Sequence, residues 1–224
     1  MKILACSLLL TLTAVPLAGQ SLNLDFGAPD HGPDASYAAA GIAGVWNSLP
    51  ADHATTTDDL VDLQGAVTAV SVRQFGGLDT PLAVDPSTSG DDARLLDDYL
   101  VTFSAGLESC LFFTGLMPGE YVVLIYARMP NAPDVLSDTF VDQELGVPHY
   151  SVGGAWSGQH RELITFSRHR VLVDATGRLD LHSGIVAGAD PSQGAALNGL
   201  QILRAEIFED GFESGDLTRW SSVG

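Results

Sequence analysis

The sequence predicts an all-β fold, an antiparallel β-sandwich of the jelly-roll type with little helix. Short segments in which apolar and polar residues alternate recur along the chain. The 24 glycines and 11 prolines among 224 residues interrupt these segments often enough to hold them to the length of strands. Many short strands separated by turn residues are typical of sandwiches and jelly rolls.

The early strand candidates show their two faces by alternation. The segment LNLDFG (22–27) is the first of them. In the next, AVTAVSVRQ, Val70 and Val72 share one face while Ser71 and Arg73 share the other. Each strand is therefore expected to bury one side only.

The central segment 110–128 predicts two strands, because Pro118 and Gly119 supply turn chemistry between CLFFTGL and EYVVLIYAR. A segment GLQILRAEI predicts a strand near the end of the domain. These apolar runs are too short for core helices and contain the β-branched and aromatic residues that strands favour.

The segment HRVLVDATGRLDLHSG (169–184) predicts a β-hairpin that turns at 175–177. In its second half Leu179 and Leu181 are expected to face inward. The outward side chains would then be those of Arg178, Asp180 and His182.

Helix is predicted only in DDARLLDDYL (91–100), and there for two turns at most. The stretch 28–59 is polar and irregular. Neither segment changes the prediction of an all-β domain.

The domain organisation follows from the two ends of the chain. Residues 1–20 have one basic residue, Lys2, then an apolar run and a few small residues, which is the order of a secretory signal peptide. The apolar run is short of the ~20 residues that a membrane span requires. We expect a β-sandwich domain over 21–206 and a separate C-terminal tail over 207–224.

The charge balance is strongly acidic, with 28 acidic and 10 basic residues and a net charge of −18. Lys2 is the only lysine and is lost with the leader, so arginine is the one strong base of the remaining chain. Such a field repels nucleic acid and anionic membranes and attracts cations. No nucleic-acid partner and no transmembrane segment are expected.

Loss of the leader also removes Cys6, which leaves Cys110 as the single cysteine. An unpaired cysteine forms no internal disulfide. Because Leu111 and Phe112 follow it, Cys110 is interpreted as a small buried hydrophobic residue. A cysteine nucleophile is the alternative.

Several short motifs follow one another in a fixed order: YAAAGIAGVWNSL, LVDLQG, LLDDYL, GLMPGEYVVLIYA and LNGLQI. They resemble secreted bacterial proteins with a galactose-binding-like β-sandwich. The resemblance implies a jelly roll, and family members often bind sugars at loop ends, although the motifs fix no binding position. The residues themselves suggest that Trp46 packs at one end of the sandwich while the Asn47 amide bonds to neighbouring backbone.

The end of the chain, EDGFESGDLTRWSS, resembles the short closing segment of many secreted bacterial proteins whose main domains differ. The resemblance implies a sorting or attachment tag. Its acidic residues are the candidate calcium ligands of the chain, with a solvated acidic run as the alternative. They are Glu209, Asp210, Glu213 and Asp216.

The best binding candidate is the glycine-rich segment 148–162, PHYSVGGAWSGQHRE. Sugar sites combine an aromatic face with planar polar groups that bond to hydroxyls. The candidate ligand-binding residues are Tyr150, Trp156, Gln159, His160 and Arg161. Two alternatives remain, a loop that packs its aromatics onto the sandwich and a metal site that uses His149 and His160.

Known catalytic motifs are absent from the sequence: it has no nucleophile elbow, no H-E-x-x-H, no phosphate-binding loop and no EF-hand pattern. We predict an exported, non-catalytic binding or structural module, with a glycan or a cell-surface component as its partner. Apart from calcium, no cofactor is expected. The protein would lie outside the cell or on its surface, with the periplasm as the other compartment.

The alternative function is that of a secreted carbohydrate-active enzyme of the glycoside hydrolase or lyase type. A glycoside hydrolase needs two carboxyl groups about 5–10 Å apart across the sugar bond. With 28 acidic residues the sequence alone can neither locate nor exclude such a pair.

Overall fold

The structure, a computed structural model, describes residues 20–27, 30–50, 54–80, 85–103 and 107–205. It contains fourteen strands, one short α-helix and one 3-10 helix within that part of the chain. The strands are β1 (Leu22–Phe26), β2 (Trp46–Leu49), β3 (Thr56–Thr57), β4 (Ser71–Phe75), β5 (Leu78–Thr80), β6 (Tyr99–Thr102), β7 (Glu108–Thr114), β8 (Gly119–Tyr126), β9 (Ser137–Val141), β10 (Tyr150–Val152), β11 (Phe166–Val173), β12 (Leu179–Ile185), β13 (Ala195–Leu197) and β14 (Gly199–Arg204). The helix α1 spans Gly90–Leu96, and the 3-10 helix spans Pro191–Gln193.

Two sheets form the sandwich. The front sheet has five strands in the order β11-β8-β14-β1-β2, and the back sheet has six in the order β10-β9-β12-β7-β4-β3. A third sheet joins β13, β6 and β5. All pairings are antiparallel except that of β1 with β2, which is parallel. The all-β prediction is confirmed.

The main core lies between the inner faces of the two sheets. Alternating side chains of the front sheet, such as Leu24 and Ile202, meet those of the back sheet, such as Phe113 and Leu181, and all four are fully buried. Val70 and Val72 are also buried, whereas Arg73 is exposed, as the alternation predicted. Burial of each large side chain stabilises the fold by about 1.5–3 kcal/mol.

The outer face of the front sheet is covered as well. A second apolar cluster places Leu95 and Leu96 of α1, together with Trp46, over Leu124 and Tyr126 of β8. The α1 segment has the two turns that the sequence predicted. The part of the front sheet near β11 stays open, since Arg168, Arg170 and Leu172 are exposed.

Asn47 behaves as the sequence suggested, whereas Trp46 packs on the outer face of the front sheet and not at one end of the sandwich. The Trp46 indole is 8% exposed and belongs to the second apolar cluster. The Asn47 amide donates to the carbonyls of Asn23 and Val61, and its oxygen accepts the Val61 N–H at 2.8 Å. This side chain ties β2 to β1 and to the segment 54–70.

The predicted hairpin over 169–184 is wrong. The turn exists, with the Gly177 N–H bonded to the Asp174 carbonyl. However, β11 pairs with β8 in the front sheet, while β12 pairs with β7 and β9 in the back sheet. The apolar faces of β11 and β12 thus oppose each other across the core, and alternation alone cannot distinguish that arrangement from side-by-side pairing.

Cys110 was also assigned to the wrong face. In β7 the inward residues are Leu111 and Phe113, so Cys110 and Phe112 point outward and are half-buried. Side chains along a strand alternate between its two faces, so the apolar neighbour Leu111 lies on the opposite face from Cys110.

The predicted leader, apart from Gln20, and the predicted tail lie outside the described residues. None of the described helices has both the length and the apolar character of a membrane span.

Candidate functional site

Three segments meet at one end of the sandwich and enclose a cleft of about 440 Å³. They are the turn before α1, the β8–β9 loop and the β10–β11 loop. The lining residues are Asp85, Pro86, Ser87, Arg128, Pro130, Asn131, Pro133, Ala155 and Trp156.

An ion pair forms the floor of this cleft. Nη2 of Arg128 donates to Oδ2 of Asp85 at 2.5 Å, and the two side chains are only 2% and 8% exposed. Arg128 lies two residues after the end of β8, so the strand positions a long cationic side chain at the end of the sandwich. A charged pair this well buried is bonded with short, directional contacts rather than solvated.

One nitrogen of the Arg128 guanidinium makes no hydrogen bond to the described residues. Nε donates to the Gly154 carbonyl at 2.9 Å, which ties the floor to the β10–β11 loop. Nη1 is buried and has no hydrogen-bond partner among the described residues. A buried N–H without an acceptor costs about 1–3 kcal/mol, so an acceptor atom of a ligand that reached Nη1 after a small movement of the lining would remove that cost.

The backbone of the floor is fixed by Asn198. Its Oδ1 accepts the Arg128 N–H at 2.7 Å, and its Nδ2 donates to the Leu96 carbonyl at 2.9 Å. Asn198 is fully buried between β13 and β14. The Asn198 amide thus connects the start of β14 with the end of α1 and with the backbone of Arg128.

Asp85 is held as a carboxylate. Burial acts to raise its pKa, but bonds from the Ser87 hydroxyl and N–H and the charge of Arg128 lower it further, so the pKa lies below its ordinary value. A carboxylate bound in this way is poorly suited to deliver a proton. Among the described lining residues it is the one acidic group.

Trp156 forms the aromatic wall of the cleft. It is half-buried and packs against the second apolar cluster. The edge of its ring system meets His160, with ring centroids 5.2 Å apart and planes at 71°. The indole is therefore positioned before any ligand arrives.

His160 lies behind Trp156 and does not line the cleft. Its side chain is 6% exposed, Nε2 is 2.6 Å from the Tyr37 hydroxyl, and Nδ1 is 3.2 Å from Thr165 Oγ1. Burial lowers its pKa, although the nearby Asp92 carboxylate acts in the opposite direction. A neutral, fully bonded imidazole here supports the indole.

The other predicted ligand-binding residues lie elsewhere on the same segment. Tyr150 is on β10, where its ring meets that of His169 at 5.0 Å. Gln159 and Arg161 are exposed. Trp156 is thus the one predicted residue that lines the cleft.

His149 and His160 do not form the alternative metal site. His149 lies on the outer face of the back sheet, 2.7 Å from Asp138, whereas His160 contacts Tyr37 and Thr165. The candidate calcium ligands Glu209, Asp210, Glu213 and Asp216 lie outside the described residues.

Arg128 and Asp85 were not predicted from the sequence. They are 43 residues apart, and nothing local marks either one as buried. The one signal in the sequence was Arg128 itself, which ends the apolar run YVVLIYA. A charged residue at such a position is more commonly exposed to solvent.

A second depression, of about 480 Å³, is the wider of the two. Its lining is Gln143, Leu172, Asp174, Thr176, Arg178 and Asp180, with no aromatic ring among these described residues. Arg178 there already pairs with Asp180 at 2.6 Å. The cleft beside Trp156 is the better-equipped site despite its smaller volume, because it combines a ring face with a spare donor.

No family model matches the chain, and no curated protein matches it in sequence. Among solved structures it is similar to the complex of the plant peptide RALF23 with FER and LLG2, with 16% identity, a TM-score of 0.45, and coverage of 83% of this chain and 40% of that one. It is also similar to a β-glucuronidase of Bacteroides uniformis, with 11% identity, a TM-score of 0.41, and coverage of 71% and 20%.

The C-terminal CBM6 of LamC, a marine laminarinase from Zobellia galactanivorans, has 16% identity and a TM-score of 0.26, with coverage of 68% of this chain and 94% of that one. This chain spans less than half the length of the first two structures. All three TM-scores lie below 0.5, so no conclusion about function follows from these likenesses.

Proposed function

We propose that this protein is an exported, non-catalytic β-sandwich module that binds a glycan in the cleft between Trp156 and Arg128. The observation that carries the proposal is the pairing of a pre-positioned indole with a buried guanidinium whose Nη1 has no partner. The ring face suits the C–H groups of a pyranose, and the free N–H suits a hydroxyl or ring oxygen. We also propose that the sandwich is of the galactose-binding-like type.

A neutral sugar fits the electrostatics better than an acidic one. The guanidinium charge is already matched by Asp85 at 2.5 Å, and the chain as a whole is strongly acidic. A uronic acid would bring a second carboxylate to a cation that has one. The Asn131 and Ser87 side chains at the rim are exposed and supply further hydroxyl-bonding groups.

A glycan array followed by calorimetry tests the proposal. We expect retention of a neutral glycan, and a loss of affinity of at least about tenfold in Trp156→Ala, since an aromatic contact contributes about 1.5 kcal/mol or more. Tyr150→Ala is the matched aromatic control, because Tyr150 packs on His169 and is not part of the cleft lining. Equal effects of the two variants, or no retained glycan, would contradict the proposed site.

A turnover assay on the retained glycan separates the module from the enzyme. We expect binding without product, because the one carboxylate among the described lining residues is committed to Arg128. Release of reducing ends or unsaturated sugars by the wild-type protein would show catalysis and would favour the hydrolase or lyase alternative.

Export and attachment form the second half of the proposal and rest on the composition of 1–20 and the sequence of 207–224. Cell fractionation of a producing bacterium should find the protein outside the cytoplasm, with Gln20 or Ser21 as the first residue by intact mass. Cytoplasmic protein that retains Met1 would refute this half and leave the cleft untouched.

A further inference from the structure

The outer face of the back sheet carries a row of chemically active side chains that the glycan cleft does not use. Cys110 of β7 lies directly opposite His182 of β12, and His182 lies opposite Phe140 of β9. Residues that face each other on antiparallel strands have Cβ atoms about 4.5–5.5 Å apart, so their side chains meet. Glu108 is two residues before Cys110 and therefore shares its face.

Three donor atoms converge in this row. Sγ of Cys110 is 3.3 Å from Nδ1 of His182, and Oε2 of Glu108 is 2.9 Å from the same nitrogen. All three atoms lie within 4.8 Å of one another. In a tetrahedral zinc site with ligand bonds of about 2.0–2.3 Å, ligand atoms are about 3.3–3.8 Å apart. Small side-chain rotations would bring the three donors to that spacing.

The surroundings of His182 suit an imidazole that binds metal through Nδ1. Its other nitrogen, Nε2, is buried, makes no hydrogen bond within the described part of the chain, and lies 3.5 Å from Oδ1 of Asp142. A metal on Nδ1 fixes the proton on Nε2, where it faces that carboxylate, as in carboxylate–histidine–zinc arrangements. Phe140 stacks on the ring at 4.4 Å with planes at 3°, which fixes its orientation.

The local charge also favours a cation. The carboxylates of Glu108, Asp142 and Asp180 all act electrostatically on the Cys110 thiol. Arg178 is already bound to Asp180. A divalent ion would offset the excess of carboxylates on this face.

We propose that Glu108, Cys110 and His182 bind one Zn²⁺ through Oε2, Sγ and Nδ1, and that Asp142 orients the imidazole. The thiol proton passes to solvent as the metal–sulfur bond forms. The Glu108 side chain is 36% exposed, so the fourth position opens to solvent. A mixed sulfur, nitrogen and oxygen set favours zinc over calcium or magnesium, which take oxygen ligands.

The test uses the purified protein, without a histidine tag, stripped with a chelator and kept reduced with a phosphine. Titration against a chromophoric zinc chelator should show one zinc per chain, and cobalt should give a thiolate-to-metal charge-transfer band. Cys110→Ser should abolish that band, and His182→Gln should abolish stoichiometric zinc binding. Asp142→Asn should weaken binding about 10–100-fold without removing it.

The matched control is His149→Gln, because His149 lies on the same face, beside Asp138 and against Phe140, and is not one of the three donors. It should bind zinc like the wild type. Circular dichroism of each metal-free variant shows that it is folded. Sub-stoichiometric zinc in the wild type, zinc retained by both ligand variants, or binding of copper(I) in place of zinc would overturn the assignment.

Discussion

Replacing Asp85 by asparagine tests whether the floor of the cleft is a buried ion pair. Asparagine keeps the shape of the side chain but removes its charge, so the buried Arg128 guanidinium loses the carboxylate that binds it. The two side chains are 8% and 2% exposed, which is too little for water to compensate. Loss of one partner of a buried ion pair costs about 3–5 kcal/mol.

The contacts that remain set the expected size of the effect. In the variant, Arg128 keeps the Gly154 carbonyl on Nε, and Nη1 still has no partner. We therefore expect Asp85→Asn to lower the free energy of unfolding by about 3 kcal/mol or more. For a domain of this size each kcal/mol corresponds to about 2–4 °C, so Tm should fall by at least roughly 6–12 °C.

The opposite variant should cost less. In Arg128→Met, Asp85 retains the Ser87 N–H at 2.8 Å and the Ser87 hydroxyl at 2.5 Å. The double variant Asp85→Asn/Arg128→Met carries no charge at this position and should be more stable than Asp85→Asn alone. Urea unfolding of the four proteins gives the coupling energy directly.

The control is Glu162→Gln, which breaks the ion pair between Glu162 and Arg168, whose side chains are 50% and 40% exposed. Exposed pairs contribute about 0–1 kcal/mol, so little change is expected. The reasoning fails if Asp85→Asn costs no more than this control, or if the double variant is the least stable of the four.

Three further predictions concern other parts of the fold. Burial and the charge of Asp98 raise the pKa of Asp25 well above its ordinary value. The stability that protonated Asp25 provides is therefore present near pH ~4 and is lost as pH rises through its folded-state pKa. Urea unfolding between pH ~4 and ~8 should show that decline in the wild type and a smaller one in Asp25→Asn, and equal slopes would contradict it. Asn198→Ala should cost about 1–3 kcal/mol in urea unfolding, because it leaves the buried Arg128 N–H without its acceptor, and a neutral substitution would refute the anchoring role. Deletion of 207–224 should leave Tm nearly unchanged, since the described strands end before it, and should alter cell fractionation, whereas a collapse of Tm would make the tail part of the fold.

Periodicity predicted the strands well but not their partners. Alternation placed Leu179 and Leu181 inward and His182 outward, because the face of a strand residue is a local property. Whether the turn after Val173 joins neighbours in one sheet or crosses to the other depends on what packs against each face. That is a long-range property with no local signal.

The candidate site was predictable only in its aromatic part. Trp156 in a glycine-rich loop pointed to a binding surface, and it does line the cleft. His160 looked equally available, yet Tyr37, more than a hundred residues earlier, buries it. The burial of Arg128 was not predictable, because it depends on Asp85 and Gly154, neither of which is near it in sequence.

The pairing of β1 with β14 has a consequence for the order of folding. Leu22 pairs with Ile202, so the first strand of the domain is held on one side by the last. The front sheet therefore cannot close until the final strand is available, and its completion carries nearly the full loop-closure entropy of the chain. A nascent chain that lacks β14 leaves β1 and β8 each with an unpaired edge, so the front sheet is complete only after β14 has been synthesised.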